Sequence, residues 1–379
     1  MLEIDRAEGM YLYDTDGKAY LDLIAGIGVS SLGHRHTRVV EAAKAQMDRY
    51  LHTMVYGEYV LAPQVRLAKL ITDNLPDLLD SVYFVNSGTE ATEGAMKLAK
   101  RYTGRAEIIA AKNAYHGSTQ GAASLMWPKD FTQAFHPLLP GIRHIEFNEE
   151  HDLSQITEKT AAVIVETVQA ECGLQRPKAD YLKKLRQRCN AVGCLLILDE
   201  IQAGYGRTGT LWAFEQYGIV PDILLLAKGM GGGMPIGAFV AAQNIMQSLS
   251  HDPILGHITT FGGHPVGCAA ALATLEILLE TDLIQQVKVK EDLFLELMQH
   301  PSIVEVRSAG LWLAVELPDF DFVQAVIKHC LQEGLVTDWF LFNNRSLRIA
   351  PPLIITEAEI RKACSIILEG IEIVIANKR

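Results

Sequence analysis

Along the chain, short uninterrupted apolar runs alternate with amphipathic stretches. The runs Val82–Val85, Ile108–Ala111, Ala162–Val165, Leu195–Leu198, Ile223–Ala227 and Ile236–Ala241 have strand length and no in–out alternation. A strand that is apolar on both faces is covered on both faces, so these read as buried strands of a mostly parallel sheet. Between them the spacing turns helical. Ala91, Ala95, Leu98 and Tyr102 share one helical face, and Leu182 and Leu185 mark a stripe within Tyr181–Ala191. Such alternation predicts an α/β architecture with helices on both faces of the sheet.

The two ends follow a different pattern. Gly9–Leu23 reads as two strands around the turn Asp14-Thr15-Asp16-Gly17. After a long helix predicted over Pro265–Glu280, Val304–Arg307 and Leu311–Glu316 look like a strand pair, and Phe322–Gln332 and Glu357–Val374 look helical. The ends are expected to join in one small α+β domain. The expected division is an N-terminal segment 1–45 belonging to the small domain, a large domain 46–284, and a C-terminal part 285–379.

Composition narrows the function. Among 379 residues, 45 acidic and 34 basic side chains leave a net charge of −11, which disfavours nucleic acid as a partner. A chain 49% hydrophobic and 21% charged is not disordered. The six cysteines, at 172, 189, 194, 268, 330 and 364, form no Cys-x-x-Cys pair and no zinc spacing. Reduced thiols, no metal and a cytoplasmic setting are expected. The N-terminus lacks an apolar signal core, and no apolar run reaches membrane-spanning length, so no membrane is expected.

Four clusters with possible chemistry follow predicted strands, where ligands gather in α/β sheets. Asn86-Ser87-Gly88-Thr89-Glu90 opens a helix; Ser87 and Glu90 have capping-box spacing, and the amides of Gly88 and Thr89 suit a phosphate. In Tyr115-His116-Gly117, a tyrosine beside a glycine can lie against a planar ligand. Asp199 and Glu200 end an apolar strand and suit either magnesium or a protonated ring nitrogen. Lys228 ends another, where desolvation favours its neutral, nucleophilic amine. The glycines at 229, 231, 232 and 233 let backbone approach a ligand closely. No Walker loop, Rossmann fingerprint or Gly-x-Ser-x-Gly elbow occurs.

In order and spacing, these clusters resemble the fold-type I, class III aminotransferases that use pyridoxal 5′-phosphate, from Gly9 to about Pro352. Within that class the chain looks most similar to the acetylornithine and ornithine aminotransferases, through Tyr11–Lys18 and Leu32–His36. The resemblance implies a large domain with a mostly parallel seven-stranded sheet flanked by helices. It also implies a homodimer with shared active sites. Catalytic roles would fall to Lys228, which carries the cofactor and shuttles the proton, and to Asp199, which holds the ring nitrogen. Gln202 would meet the ring hydroxyl, Tyr115 the ring face, and Gly88 and Thr89 the phosphate. Thr260 would reach the phosphate from the partner subunit, with Thr259 beside it toward substrate.

For substrate, Arg348 matches the family arginine for a carboxylate, and Glu171 the glutamate that pairs with it when an amine enters. The sequence departs from the pattern at Ser118, where acetylornithine and ornithine enzymes carry an arginine, at Thr167 in place of proline, and at Cys172 in place of glycine. Another cation could substitute for that arginine from elsewhere in the chain, and the sequence does not place Arg35 or Arg143. The implied reaction is ping-pong transamination of an ω-amine, acetylornithine or ornithine first, with 2-oxoglutarate as acceptor. The alternatives are a 4-aminobutyrate-like or pyruvate-dependent transaminase, and an aminomutase of the glutamate-semialdehyde type.

Overall fold

The computed structural model describes residues 2–55, 57–178 and 180–378. The strands of the first two-thirds are β1 (Ile4–Glu8), β2 (Tyr11–Asp14), β3 (Ala19–Asp22), β4 (Ser81–Val85), β5 (Glu107–Ala111), β6 (Ile142–Ile145), β7 (Thr160–Glu166), β8 (Leu195–Asp199), β9 (Ile223–Leu226) and β10 (Gly237–Ala241). Then come β11 (Glu305–Ser308), β12 (Leu313–Glu316), β13 (Leu335–Val336), β14 (Asp338–Trp339) and β15 (Ser346–Ile349).

One seven-stranded sheet runs β4-β10-β9-β8-β7-β5-β6. Its neighbours from β6 across to β9 pair in parallel, and β10 lies antiparallel to both β9 and β4. Every residue of β7, β8, β9 and β10 is buried. That double covering is why these strands read as continuous apolar runs. All six apolar runs are strands. The edge strand β6 was not anticipated: Ile142-Arg143-His144-Ile145 is polar at its centre, as an edge tolerates.

The helix Gly88–Thr103 follows β4. Ser87 Oγ caps it by accepting from Glu90 N at 3.3 Å, and Gly104 at φ 69° ends it in the left-handed region. The Glu90 carboxylate reaches back to Asn86 N at 2.5 Å, one residue beyond the capping-box position. Ala91, Ala95 and Leu98 are buried on its inner face; Tyr102, in the last turn, is 44% exposed. The long helix Pro265–Glu280 has the expected bounds.

The remaining strands form two small sheets, β1-β2-β3-β13 and β11-β12-β15-β14. The expected turn joins β2 to β3, with Asp14 Oδ1 accepting from Asp16 N and Lys18 N. β13 pairs in parallel with β3, so the two ends of the chain share a sheet. In the other sheet Arg348 on β15 lies opposite Ala314 of β12 and Asp338 of β14. Backbone bonds from Ala350 N to Leu23 O, 2.6 Å, and from Leu353 N to Ser31 O, 2.8 Å, tie the end of β15 to the N-terminal segment. Among the described residues, no helix is long and apolar enough to cross a membrane.

Candidate active site

The carboxyl ends of β5, β7, β8 and β9 and the start of the helix after β4 open on one cavity of about 630 Å³. The size suits a small-molecule site. Gly88, Thr89, Tyr115, Asp199, Gln202, Lys228 and Glu171 all line it.

The cavity's anion end is built from helix N-terminal amides and missing side chains. A Cβ on Gly88 would lie 2.8 Å from Ile201 Cδ1, so glycine lets the helix start abut the loop after β8. Gly117, at φ 127°, passes so close to Thr89 that a Cβ would lie 2.8 Å from Thr89 Cα. Thr89 Oγ1 in turn hydrogen-bonds Thr119 Oγ1 at 2.7 Å. Free amides at a helix N-terminus attract a phosphate through both hydrogen bonds and the helix dipole.

Asp199 and Glu200 diverge, as neighbours on an extended chain do. Asp199 Oδ2 lies 2.7 Å from His116 Nδ1, and Oδ1 accepts from Ile201 N at 2.9 Å. Glu200 is fully buried elsewhere, accepting from Thr167 Oγ1, Ala213 N and Phe214 N. The two carboxylates therefore do not converge as a magnesium pair, and among the described residues no group of three or more His, Cys, Asp or Glu side chains has metal-site geometry. Burial pushes the Glu200 carboxyl up to about 7.

Lys228 follows β9 at φ 46°, a left-handed conformation that strains a non-glycine residue by on the order of 1–3 kcal/mol. Its Nζ donates to Gln202 Oε1 at 2.7 Å. Burial lowers its pKa from the usual lysine value, against the upward pull of the Glu171 and Asp199 carboxylates. A neutral amine is therefore easier to reach than at the surface.

Arg348 and Glu171, 177 residues apart, form a bidentate pair with Nη1–Oε1 3.0 Å and Nη2–Oε2 2.7 Å. Glu171 faces the cavity, and Arg348 stands behind it, 3% exposed. Among the described residues Lys228 is the one lysine or arginine lining the cavity. Arg143 pairs with Glu107 and Arg35 with Glu8, both away from it. Ser118 stands at the exposed rim, where its Oγ is 2.9 Å from Tyr115 OH. This chain does not bring Thr259 or Thr260 to the cavity. Thr259 Oγ1 accepts from Asn86 Nδ2 at 3.1 Å beside a second cavity of about 350 Å³, and Thr260 is exposed, its carbonyl accepting from His52 Nε2 at 2.8 Å.

Two lining residues escaped the sequence reasoning. His116 has no role in the sequence reading, though its position next to Tyr115 was the available signal. Glu166, the last residue of β7, accepts from Tyr115 N at 3.0 Å and Ala170 N at 2.9 Å, which fixes the loop bearing Tyr115. Burial, and Asp199 nearby, raise its carboxyl well above the usual range.

A seven-stranded, mostly parallel sheet with a strand-end lysine, a buried carboxylate and an amide cradle is the fold and site of a transferase that uses pyridoxal 5′-phosphate. The family "Aminotransferase class-III" matches residues 1–371. The chain belongs to that family, whose fold and cofactor it shares. It is 39% identical over 361 residues to an acetylornithine aminotransferase of Methanopyrus kandleri, covering 94% of this chain and 90% of the relative. It is 40% identical over 376 residues to a putrescine aminotransferase of Pectobacterium atrosepticum, covering 94% and 79%. Among solved structures, an amine transaminase from an uncultivated Pseudomonas species in its PLP-bound form superposes with a TM-score of 0.89, at 27% identity, covering 98% of this chain and 94% of that one. The residues present fit the cofactor. Gly88 and Thr89 open the helix at the cavity wall, and the buried His116 Nε2 and Gln202 Nε2 have no protein partner.

Proposed function

We propose that this class III aminotransferase acts on the terminal amine of an ω-amino substrate, with Lys228 and Asp199 as its catalytic residues. Pyridoxal phosphate, when bound, supplies an aldehyde and a ring that draws electrons from the bond being broken. The amides of Gly88 and Thr89 would hold the phosphate, Tyr115 the ring face and Gln202 the ring hydroxyl. Asp199 would hold the ring nitrogen, kept in place by His116 and Ile201 N. Lys228 Nζ would carry the cofactor until the donor amine displaces it, and would then move the proton from the substrate carbon to the aldehyde carbon of the cofactor. Thr260 would complete the phosphate site of a second subunit, with Thr259 beside it toward substrate; its exposure supports that reading.

The observation that carries the ω-amine assignment is the buried Arg348–Glu171 pair at the cavity wall. With Glu171 closed on it, the arginine's charge is hidden and a distal amine is accepted. With Glu171 swung away, the guanidinium would grip the carboxylate of a 2-oxo acid by two points, so donor and acceptor would use one site in turn, as ping-pong transfer requires. Acetylornithine and ornithine are the first donors and 2-oxoglutarate the first acceptor. Ser118 favours a second reading. With Lys228 the one lysine or arginine lining the cavity among the described residues, a donor without a second carboxylate, such as a diamine, fits the rim.

The test is to load the enzyme with cofactor and add acetylornithine, ornithine, 4-aminobutyrate and 1,4-diaminobutane singly, without acceptor, while following the cofactor's visible band. The band should fall with an ω-amine and return with 2-oxoglutarate. A band indifferent to every ω-amine, together with turnover of glutamate 1-semialdehyde without any oxo acid, would make the enzyme an aminomutase instead.

A further inference from the structure

Arg348 has a second carboxylate that the sequence did not suggest. Asp338 sits directly across from it on β14, and the strand register itself sets the pair. Asp338 Oδ1 lies 3.0 Å from Arg348 Nε, an ion pair whose angle is too poor for a hydrogen bond. Behind the cavity, Nη2 also donates to Trp339 O at 3.0 Å, and the guanidinium lies 4.5 Å above the Phe340 ring. The partners of Arg348 thus fall into two sets. Glu171 faces the cavity; Asp338, Trp339 and Phe340 do not line it.

We propose that Asp338 is a positioning residue for Arg348. It holds the guanidinium from behind at Nε, so the Nη edge stays aimed at the cavity when a substrate carboxylate displaces Glu171. The inference rests on the carboxylate-binding role proposed for Arg348 above.

The physical need is clear. A long arginine side chain regains rotamer entropy when released, so a guanidinium freed of its main partner tends to leave its position. A permanent back anchor keeps both of its states in one place, and only the front carboxylate has to move. Burial raises the Asp338 carboxyl to about 6; Arg348 pulls it down, and Glu171 and Asp22 push it up. At neutral pH and above, the anchor is therefore charged. The neighbouring Asp22 is itself engaged, by His34 Nε2 at 2.7 Å and by Ile24 N and Ala25 N, so it does not substitute.

The test compares Asp338→Asn with wild type, both cofactor-loaded and both checked by thermal midpoint. Asparagine keeps the shape and removes the charge. The KM for 2-oxoglutarate should rise about five- to tenfold, equivalent to ~1–1.4 kcal/mol. The rate of the half-reaction with 1,4-diaminobutane, which carries no carboxylate, should not follow it. The split should persist in a Glu171→Gln background, because Asp338 acts on Arg348 and not through Glu171. If Asn at 338 lowers the midpoint sharply, Asp338→Ser serves for the same comparison. An unchanged KM overturns the inference, as does equal slowing of both half-reactions, which would mark Asp338 as a support of the fold alone. A wild-type enzyme that no 2-oxo acid regenerates would instead overturn the role of Arg348 on which the inference rests.

Discussion

Replacing Thr167 with valine should destabilise the protein more at alkaline than at acidic pH. Thr167 follows β7, where the family pattern has proline. Its N–H donates to Asp199 O at 3.3 Å, and its Oγ1 donates to Glu200 Oε1 at 2.8 Å. Glu200 also accepts from Ala213 N at 2.7 Å and Phe214 N at 2.6 Å. Among the described residues no cation pairs with it, and three donors carry its charge. Burial raises its pKa from 4.5 to about 7, and the Thr167 hydroxyl is the strongest influence holding it down. The folded pKa is above the unfolded one. Between about 4.5 and 7 the native state holds a proton that the unfolded chain has released, so this group's favourable contribution is full at low pH and is lost as pH rises through about 7. The loss is on the order of 3 kcal/mol. Valine keeps the branched shape and the N–H but removes the hydroxyl. At pH about 8.5, where Glu200 is ionised, the missing donor should remove roughly 1.5–3 kcal/mol; at pH about 5.5, where it is protonated, roughly 0.5–1.5 kcal/mol. Equilibrium urea unfolding of both proteins at the two pH values measures the difference. An equal loss at both, or none, would refute this account of Glu200.

Three further outcomes are expected. Lys228→Ala should lower transamination by on the order of 10³-fold or more in a stopped assay with donor and oxo acid, while the thermal midpoint of the protein without cofactor changes little; normal turnover would remove Lys228 from the chemistry. Gly117→Ala combines a φ of 127° with a contact against Thr89, so cofactor affinity measured by fluorescence titration should fall about tenfold or more; unchanged affinity would mean that the Thr89 amide is not part of the phosphate cradle. Ser118→Arg puts a cation on the rim and should raise kcat/KM for 2-oxoglutarate over pyruvate about tenfold; an unchanged ratio would place the distal carboxylate elsewhere.

The sequence by itself determined six of the seven strands of the central sheet. Leu195–Leu198 and Ile223–Ala227 are apolar on both faces, and that pattern is written within five residues. It also determined that Asp199 and Lys228 stand at strand ends, because each directly follows its run. Tertiary structure decided which of two adjacent carboxylates faces the cavity: Asp199 meets His116, and Glu200 turns to Thr167 and the first amides of the short helix Ala213–Tyr217. It decided, too, that Asp338 backs Arg348, since a cross-strand neighbour is fixed by register and not by spacing along the chain. The edge strand β6 stayed hidden because an edge needs no apolar run. Local periodicity records which faces are covered; only the assembled sheets decide which distant side chains meet, because those contacts depend on strand order and register that no short stretch of sequence contains.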